Sequence, residues 1–299
     1  MSSSAPASNS SVGTVELGGT KTLVGWGSHP DDLDTAIRIP TGEPLATLQE
    51  VVEFLTDKPI SAVGVASFGP IQLDSEHPDY GEILSSSPKV GWRGIGVVSR
   101  LGDGLGVPVE ANTDVVGAAM AEGRWGACRG LTSYVYITVG TGIGGGAVVN
   151  GEPISGLGHP EMGHIVVERR AGDSYPGRCP HHGDCLEGMA SGPALAERFG
   201  DSEGDVPERV SLVAFYLAQV MRDITYILAP QRIVIGGGVS HMVGFHDSVR
   251  DALRQRLAGY PGWRGLADDD YLTAPGLGDR SGLAGGLLIA QRALATEVQ

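Results

Sequence analysis

Cysteine is scarce: the chain of 299 residues has three, Cys128, Cys179 and Cys185. So few argue against the disulfide framework that staples small secreted domains. Lysine is equally rare, confined to Lys21, Lys58 and Lys89, and arginine supplies the rest of the 21 basic residues. Against them stand 35 acidic residues, giving a formal net charge of -14. That balance argues against a nucleic-acid surface, because phosphate backbones select Lys and Arg. It leaves a mononucleotide open, which needs only a local cradle of backbone N–H groups. No apolar run approaches the ~20 residues that cross a bilayer, so no membrane partner is expected. The first eleven residues, MSSSAPASNSS, lack the basic and apolar regions of a secretory signal. They read as a disordered tail over 1–11, and a cytoplasmic location is expected.

Glycine is what the chain has in plenty, 47 residues of it. The glycines cluster behind short β-branched runs. Thr14–Leu17 leads into Gly18-Gly19-Thr20, and Ser61–Ala66 into Ser67-Phe68-Gly69-Pro70. Tyr134–Val139 leads into Gly140-Thr141-Gly142, and Arg232–Ile235 into Gly236-Gly237-Gly238. Each reads as a strand running into a tight turn. Helical periodicity falls between them, at about 45–57, 114–127, 189–200, 208–228 and 283–297. Alternating strands and helices predict an α/β fold. The stretches 14–27 and 137–151 both read as strand, glycine turn, strand. Such turns let backbone N–H groups approach an anion. Neither fits the Walker A spacing or a dinucleotide fingerprint, because both return as hairpins and open no helix.

Two other stretches carry chemistry. Residues 107–126, VPVEANTDVVGAAMAEGRWG, read as strand, polar turn, helix, with Thr113 or Asp114 as the cap. Asn112 and Asp114 then lie at the carboxyl end of a strand, where α/β folds place ligands. Residues 179–193, CPHHGDCLEGMASGP, hold Cys179, His182 and Cys185 with two residues between successive members. That spacing lets a short loop wrap a zinc ion, which prefers four N or S ligands. His159 and His164 are candidates for the fourth, and His181 is an alternative within the loop. Cys128 is left over, a core or semi-exposed thiol.

The two glycine hairpins with a later glycine turn resemble the actin-like sugar kinases, and within them the ROK family (repressors, open-reading-frame proteins, kinases). The motifs run from residue 14 to about 287. Glu16 in the first loop and "SPKVGW" at 87–92 resemble the zinc-containing bacterial fructokinases of that family. The resemblance implies a two-lobed actin-like (ribonuclease H-like) α/β fold with a cleft between the lobes. The lobes would cover 12–112 with about 285–299, and 113–284. It implies an ATP-dependent hexose kinase, most simply one that phosphorylates fructose at O6, with glucose, mannose or N-acetylmannosamine as alternatives. Asp114 would be the base. Gly69, Asn112, Glu161, His164 and Glu187 would join it in binding the sugar. Glu16 would help place Mg²⁺. Gly18, Gly19, Thr20 and Lys21 would hold one end of the ATP phosphates, and Thr138, Gly140, Thr141 and Gly142 the other. Gly237 and Gly238 would flank adenosine. The family's Glu-x-x-His pattern, here Glu161 to His164, makes His164 the fourth ligand of a structural zinc beside Cys179, His182 and Cys185. The resemblance also implies a homodimer, and it leaves the Ser85–Lys89 segment without a role. A sugar-sensing repressor is the other expectation of the family. It is disfavoured because a DNA-binding domain of several dozen residues would precede the first loop.

Overall fold

The computed structural model describes residues 11–200 and 206–296. Residues 1–10 of the expected tail, 201–205 of the polar break and 297–299 lie outside the described residues. The chain divides into two compact units. One contains the residues up to Gly117 and those from Gly282, and the other is Ala118–Ser281.

In the first unit, β1 (Val12–Leu17) and β2 (Lys21–Gly27) form an antiparallel hairpin in which Val15 faces Val24. β3 (Ile37–Pro40) extends it and leads to helix α1 (Pro44–Thr56). β4 (Val63–Ser67) returns parallel to β1. Helix α2 (Val97–Leu105) precedes β5 (Val109–Thr113), which lies parallel to β4. The sheet order is β3-β2-β1-β4-β5. Every residue of β4 is buried, which is the reading of a strand covered on both faces. Helix α8 (Ser281–Thr296) supplies part of that cover. A Cβ on Gly64 would lie 2.0 Å from the Gly286 carbonyl oxygen, so the helix meets the strand backbone to backbone. The Thr14 hydroxyl donates to the Leu283 carbonyl at 2.5 Å.

The second unit opens inside helix α3 (Asp114–Arg124). β6 (Tyr134–Val139) and β7 (Ile143–Val149) form its hairpin, and β8 (Glu152–Pro153) extends it. After a long irregular stretch come α4 (Leu186–Ala190), α5 (Gly192–Phe199) and α6 (Val206–Leu228). β9 (Arg232–Gly236) lies parallel to β6. Helix α7 (Phe245–Leu257) leads to the short β10 (Leu272–Thr273). The order is β10-β9-β6-β7-β8.

The helix expected at 189–200 is two helices, α4 and α5, parted at Ser191, whose backbone is extended (φ -66°, ψ 161°). Pro193 is the reason: it lacks the N–H that a continuous helix would bond to the Met189 carbonyl, whereas in the first turn of α5 no such donor is needed. Helices α2 and α7 lie outside the five expected. Among the described residues, α6 alone is long and apolar enough to cross a membrane, and 67% of its apolar window is buried within the protein.

Candidate functional site

In the first unit three parallel strands end in register: Leu17 pairs with Ser67, and Ser67 with Thr113. The next residues are Gly18, Phe68 and Asp114, so the sheet gathers the phosphate-loop, sugar-loop and base candidates along one edge. Gly18 is required by the turn, since a Cβ there would meet the Lys21 carbonyl oxygen at 2.7 Å. A Cβ on Gly19 would meet nothing within 4 Å, and Gly19 and Thr20 are exposed. Open space over bare backbone is what a phosphate needs. The Glu16 carboxyl group fills the place of a Cβ on Gly282, 2.6 Å away, in the first turn of α8. A helix N-terminus favours a carboxylate. Gly69 follows β4 and joins Pro70 through a cis peptide. Its carbonyl oxygen accepts from the Ser87 hydroxyl at 3.4 Å.

Thr113 and Asp114 cap α3 together. The Thr113 hydroxyl accepts from the Val116 N–H at 3.3 Å, and Asp114 Oδ1 from the Val115 N–H at 2.9 Å. Asn112 Oδ1 accepts from the Thr113 N–H at 2.8 Å. Burial raises the Asp114 pKa to about 6, against the lowering effect of the backbone N–H donors. The carboxylate is still the major form at pH 7, and it is far more basic than an exposed aspartate.

The second unit repeats the glycine turn after β6. Gly237 has φ +86°, and a Cβ there would lie 2.5 Å from the Val139 carbonyl oxygen and 2.7 Å from Thr138 Oγ1. Glycine turns after β6 and β9 are thereby side by side, as Thr138 pairing with Gly236 requires. Gly140 and Gly238 leave open space like Gly19, with nothing nearer than 4.0 Å to an added Cβ. Each unit, taken by itself, thus ends its hairpin in bare backbone with open space over it.

The Glu187 carboxylate accepts from the Ile143 N–H at 2.9 Å. A Cβ on Gly142 would meet that same oxygen at 2.6 Å. Ile143 opens β7, so a residue expected to read the sugar also holds the second phosphate turn. On its other side, a Cβ on Gly163 would meet the Ile143 carbonyl oxygen at 1.8 Å. The segment carrying Glu161 and His164 is thus packed against the same residue.

The ligand atoms of His164, Cys179, His182 and Cys185 all lie within 4.8 Å of one another. Cys179 Sγ is 3.5 Å from His164 Nδ1 and 3.6 Å from His182 Nδ1, and Cys185 Sγ is 3.6 Å from His164 Nδ1. A zinc tetrahedron with Zn–S about 2.3 Å and Zn–N about 2.0 Å has S···N edges of about 3.5 Å. The donor set and its spacing fit zinc. Backbone pairing shapes the loop: Cys179 and Gly183 exchange N–H···O bonds at 3.1 and 2.9 Å, and the Leu186 N–H donates to the Ile165 carbonyl at 3.0 Å. Burial holds His164 below its usual pKa, keeping the neutral imidazole that a metal ligand must be. Burial also pushes the Cys185 thiol up to about 11, and a coordinated zinc would ionise it. His159 lies outside the cluster, with Nδ1 3.4 Å from Glu161 Oε1. His181 is outside it too, its ring 6.5 Å from that of His164.

Sequence reasoning gave no role to two residues. Glu122 is fully buried in α3. Its carboxylate accepts from the N–H groups of Ala127 (2.7 Å), Gly276 (2.9 Å) and Leu277 (3.0 Å), and from the Ser281 hydroxyl (2.7 Å). Three of its four partners lie 154 to 159 residues away, beyond any local pattern. Cys128 beside it is buried, and burial and then the Glu122 charge raise its thiol to about 12, making it an inert core residue. The second is Lys89, whose ammonium donates to the Gly19 carbonyl at 2.6 Å and the Thr41 carbonyl at 3.1 Å.

A sequence profile of the ROK family matches residues 12–293. The chain is 39% identical to the fructokinase of Zymomonas mobilis over 290 residues, 93% of this chain and 95% of that protein. It is 36% identical to the fructokinase of Pediococcus pentosaceus over 286 residues, 95% and 98% of the two chains. In structure it resembles a ROK hexokinase from Thermus thermophilus, with a TM-score of 0.75 at 24% identity, covering 96% of this chain and 99% of that one. The expected actin-like α/β fold is the fold found.

Proposed function

The chain belongs to the ROK family, and from that membership we propose that it is an ATP-dependent hexose kinase acting on D-fructose at O6. The observation that carries the reading is Asp114, a carboxylate with a pKa of about 6. It stands on a strand edge shared with an open glycine turn. Likeness to fructokinases over nearly the whole chain supports the choice of sugar.

Asp114 orients the reacting hydroxyl and accepts its proton as that oxygen bonds to the γ-phosphorus and the bond to the β–γ bridging oxygen breaks, leaving ADP. Asn112, the Gly69 backbone, Glu161, His164 and Glu187 bind the remaining hydroxyls. Gly18, Gly19, Thr20 and Lys21 hold one end of the phosphates. Thr138, Gly140, Thr141 and Gly142 hold the other, and Gly237 and Gly238 lie along adenosine. ATP would supply the phosphoryl group, and Mg²⁺, which Glu16 would help to hold, would supply counter-charge to the phosphates. Zinc on His164, Cys179, His182 and Cys185 is structural, because protein fills all four positions. A homodimer in the cytoplasm completes the proposal.

The test is ADP release over a panel of hexoses, with the position of the new phosphate read by NMR. Fructose should give the highest kcat/KM, because a site built to pair particular hydroxyls leaves polar groups unpaired on the wrong sugar. A glucose, mannose or N-acetylmannosamine value equal to or above that for fructose would overturn the choice of sugar. No release with any hexose would overturn the kinase.

A further inference from the structure

The segment Ser87–Trp92 is packed under two loops of the first unit. Trp92 is buried, its ring edge-on to Phe68 at 5.6 Å between centroids, and its Nε1–H donates to the Gly42 carbonyl at 3.1 Å. The Ser87 hydroxyl reaches the Gly69 carbonyl of the sugar loop, and the Arg93 Nε–H donates to the Ser87 carbonyl at 2.7 Å. These contacts fix the backbone on both sides of Lys89. Its ammonium then reaches the Gly19 carbonyl at 2.6 Å and the Thr41 carbonyl at 3.1 Å. The Thr41 N–H in turn donates to the Thr20 carbonyl at 3.1 Å, so one short cross-brace grips the turn from two sides.

A trans peptide is planar, with its C=O and N–H pointing in opposite directions. Holding the Gly19 carbonyl toward Lys89 therefore turns the Thr20 N–H away from Lys89. Without a clamp the Gly19–Thr20 peptide is free to flip, because Gly19 has no side chain and neighbours nothing within 4 Å of a Cβ position. Bonds from a charged donor are the stronger kind, and a compact ammonium with three donors suits two carbonyls at once. The chain has only three lysines, and two of them, Lys21 and Lys89, stand at this turn.

We propose that Lys89 is a positioning residue for the nucleotide: it fixes the Gly19–Thr20 peptide in the orientation that presents the Thr20 N–H to a phosphate. The proposal rests on the kinase reading and adds a residue to it. The experiment compares the full chain with Lys89→Met, which keeps the stem and loses the ammonium. ADP affinity is measured by calorimetry without sugar, and KM for ATP and for the hexose by steady-state kinetics. ADP affinity should fall, and KM for ATP rise, by ~10-fold or more, the value of one bond to a charged group. KM for the hexose should stay within about twofold, a split that general loss of structure would not produce. Lys89→Gln, a neutral donor on a shorter arm, is the second variant should Lys89→Met not fold, and the same calorimetry reads it. Wild-type ADP affinity in either folded variant, or an equal rise in both KM values, overturns the proposal. If the wild-type protein phosphorylates no hexose, the kinase reading fails, while ADP calorimetry still decides the role of Lys89.

Discussion

Laid strand against strand, the two sheets follow one plan: β3-β2-β1-β4-β5 in the first unit matches β8-β7-β6-β9-β10 in the second. Each starts with an antiparallel hairpin closed by glycine and adds two parallel strands. What differs is how each hairpin turn is held. In the first unit a cation, Lys89, grips the Gly19 carbonyl. In the second a carboxylate, Glu187, grips the Ile143 N–H. A peptide offers an acceptor on one side and a donor on the other, so side chains of opposite charge do the same work. The supports differ as well. Lys89 stands three residues from a buried tryptophan, and Glu187 two residues from a member of the Cys/His cluster. Glycine turns carry no side chains to hold themselves, and each unit inserts a separate segment to hold its own.

The largest break in this comparison should come from the second support. Cys185→Ser should abolish zinc binding, where elemental analysis of the wild-type protein should find one zinc per chain. It should lower stability by more than ~4 kcal/mol, as loss of a structural metal does. A zinc content near zero in an active wild-type preparation would remove the metal from the account. The next effect tests where the two units part company. The first unit's last strand ends at Thr113 and passes straight to Asp114 at the start of α3, whereas the second's runs into a loop held by Glu122. Asp114→Asn should lower kcat by ~10² or more. In the wild type, kcat should fall as pH drops through about 6, because the base is lost on protonation. Stability runs the other way. Burial raises the folded pKa above the unfolded value of about 3.9, so wild-type stability declines as pH rises from there to about 6. Asp114→Asn escapes that cost, and at pH 7 its thermal midpoint should match or exceed the wild type. Near-wild-type turnover would exclude the role. The smallest effect is Glu187→Gln. It should weaken ADP and hexose binding together, each by ~10-fold, where Lys89→Met moves the nucleotide alone. If Glu187→Gln shifted only the hexose, the two turns would not be held alike.

The hairpins and their turns were legible because the signals are local: β-branched runs broken by paired glycines. The cluster was legible through spacing within six residues, and the family pattern chose His164 over His159. Other features escaped for physical reasons. α2 is nine residues long with Gly102 and Gly104 inside, so its composition speaks against a helix. α7 buries only Phe245, Val249, Leu253 and Leu257, a narrow stripe among charges. The shared sheet plan hides because β8 and β10 have two residues each, too few to leave a pattern. Lys89 acts through partners at least 48 residues away, and all of Glu122's acceptor contacts but the one to Ala127 reach 154 to 159 residues along the chain, beyond any local window.

The packing of α8 against β1 and β4 also bears on how the chain is made. Thr14 and Gly64 leave the ribosome 269 and 222 residues before their partners Leu283 and Gly286. The second unit is one unbroken run from Ala118 to Ser281, and it is complete before the segment from Gly282 that closes the first unit. Order of emergence and order of completion are reversed. A nascent chain paused before residue 282 lacks the helix that packs on Thr14 and Gly64, and transiently exposed surface of that kind is where chaperones act during translation.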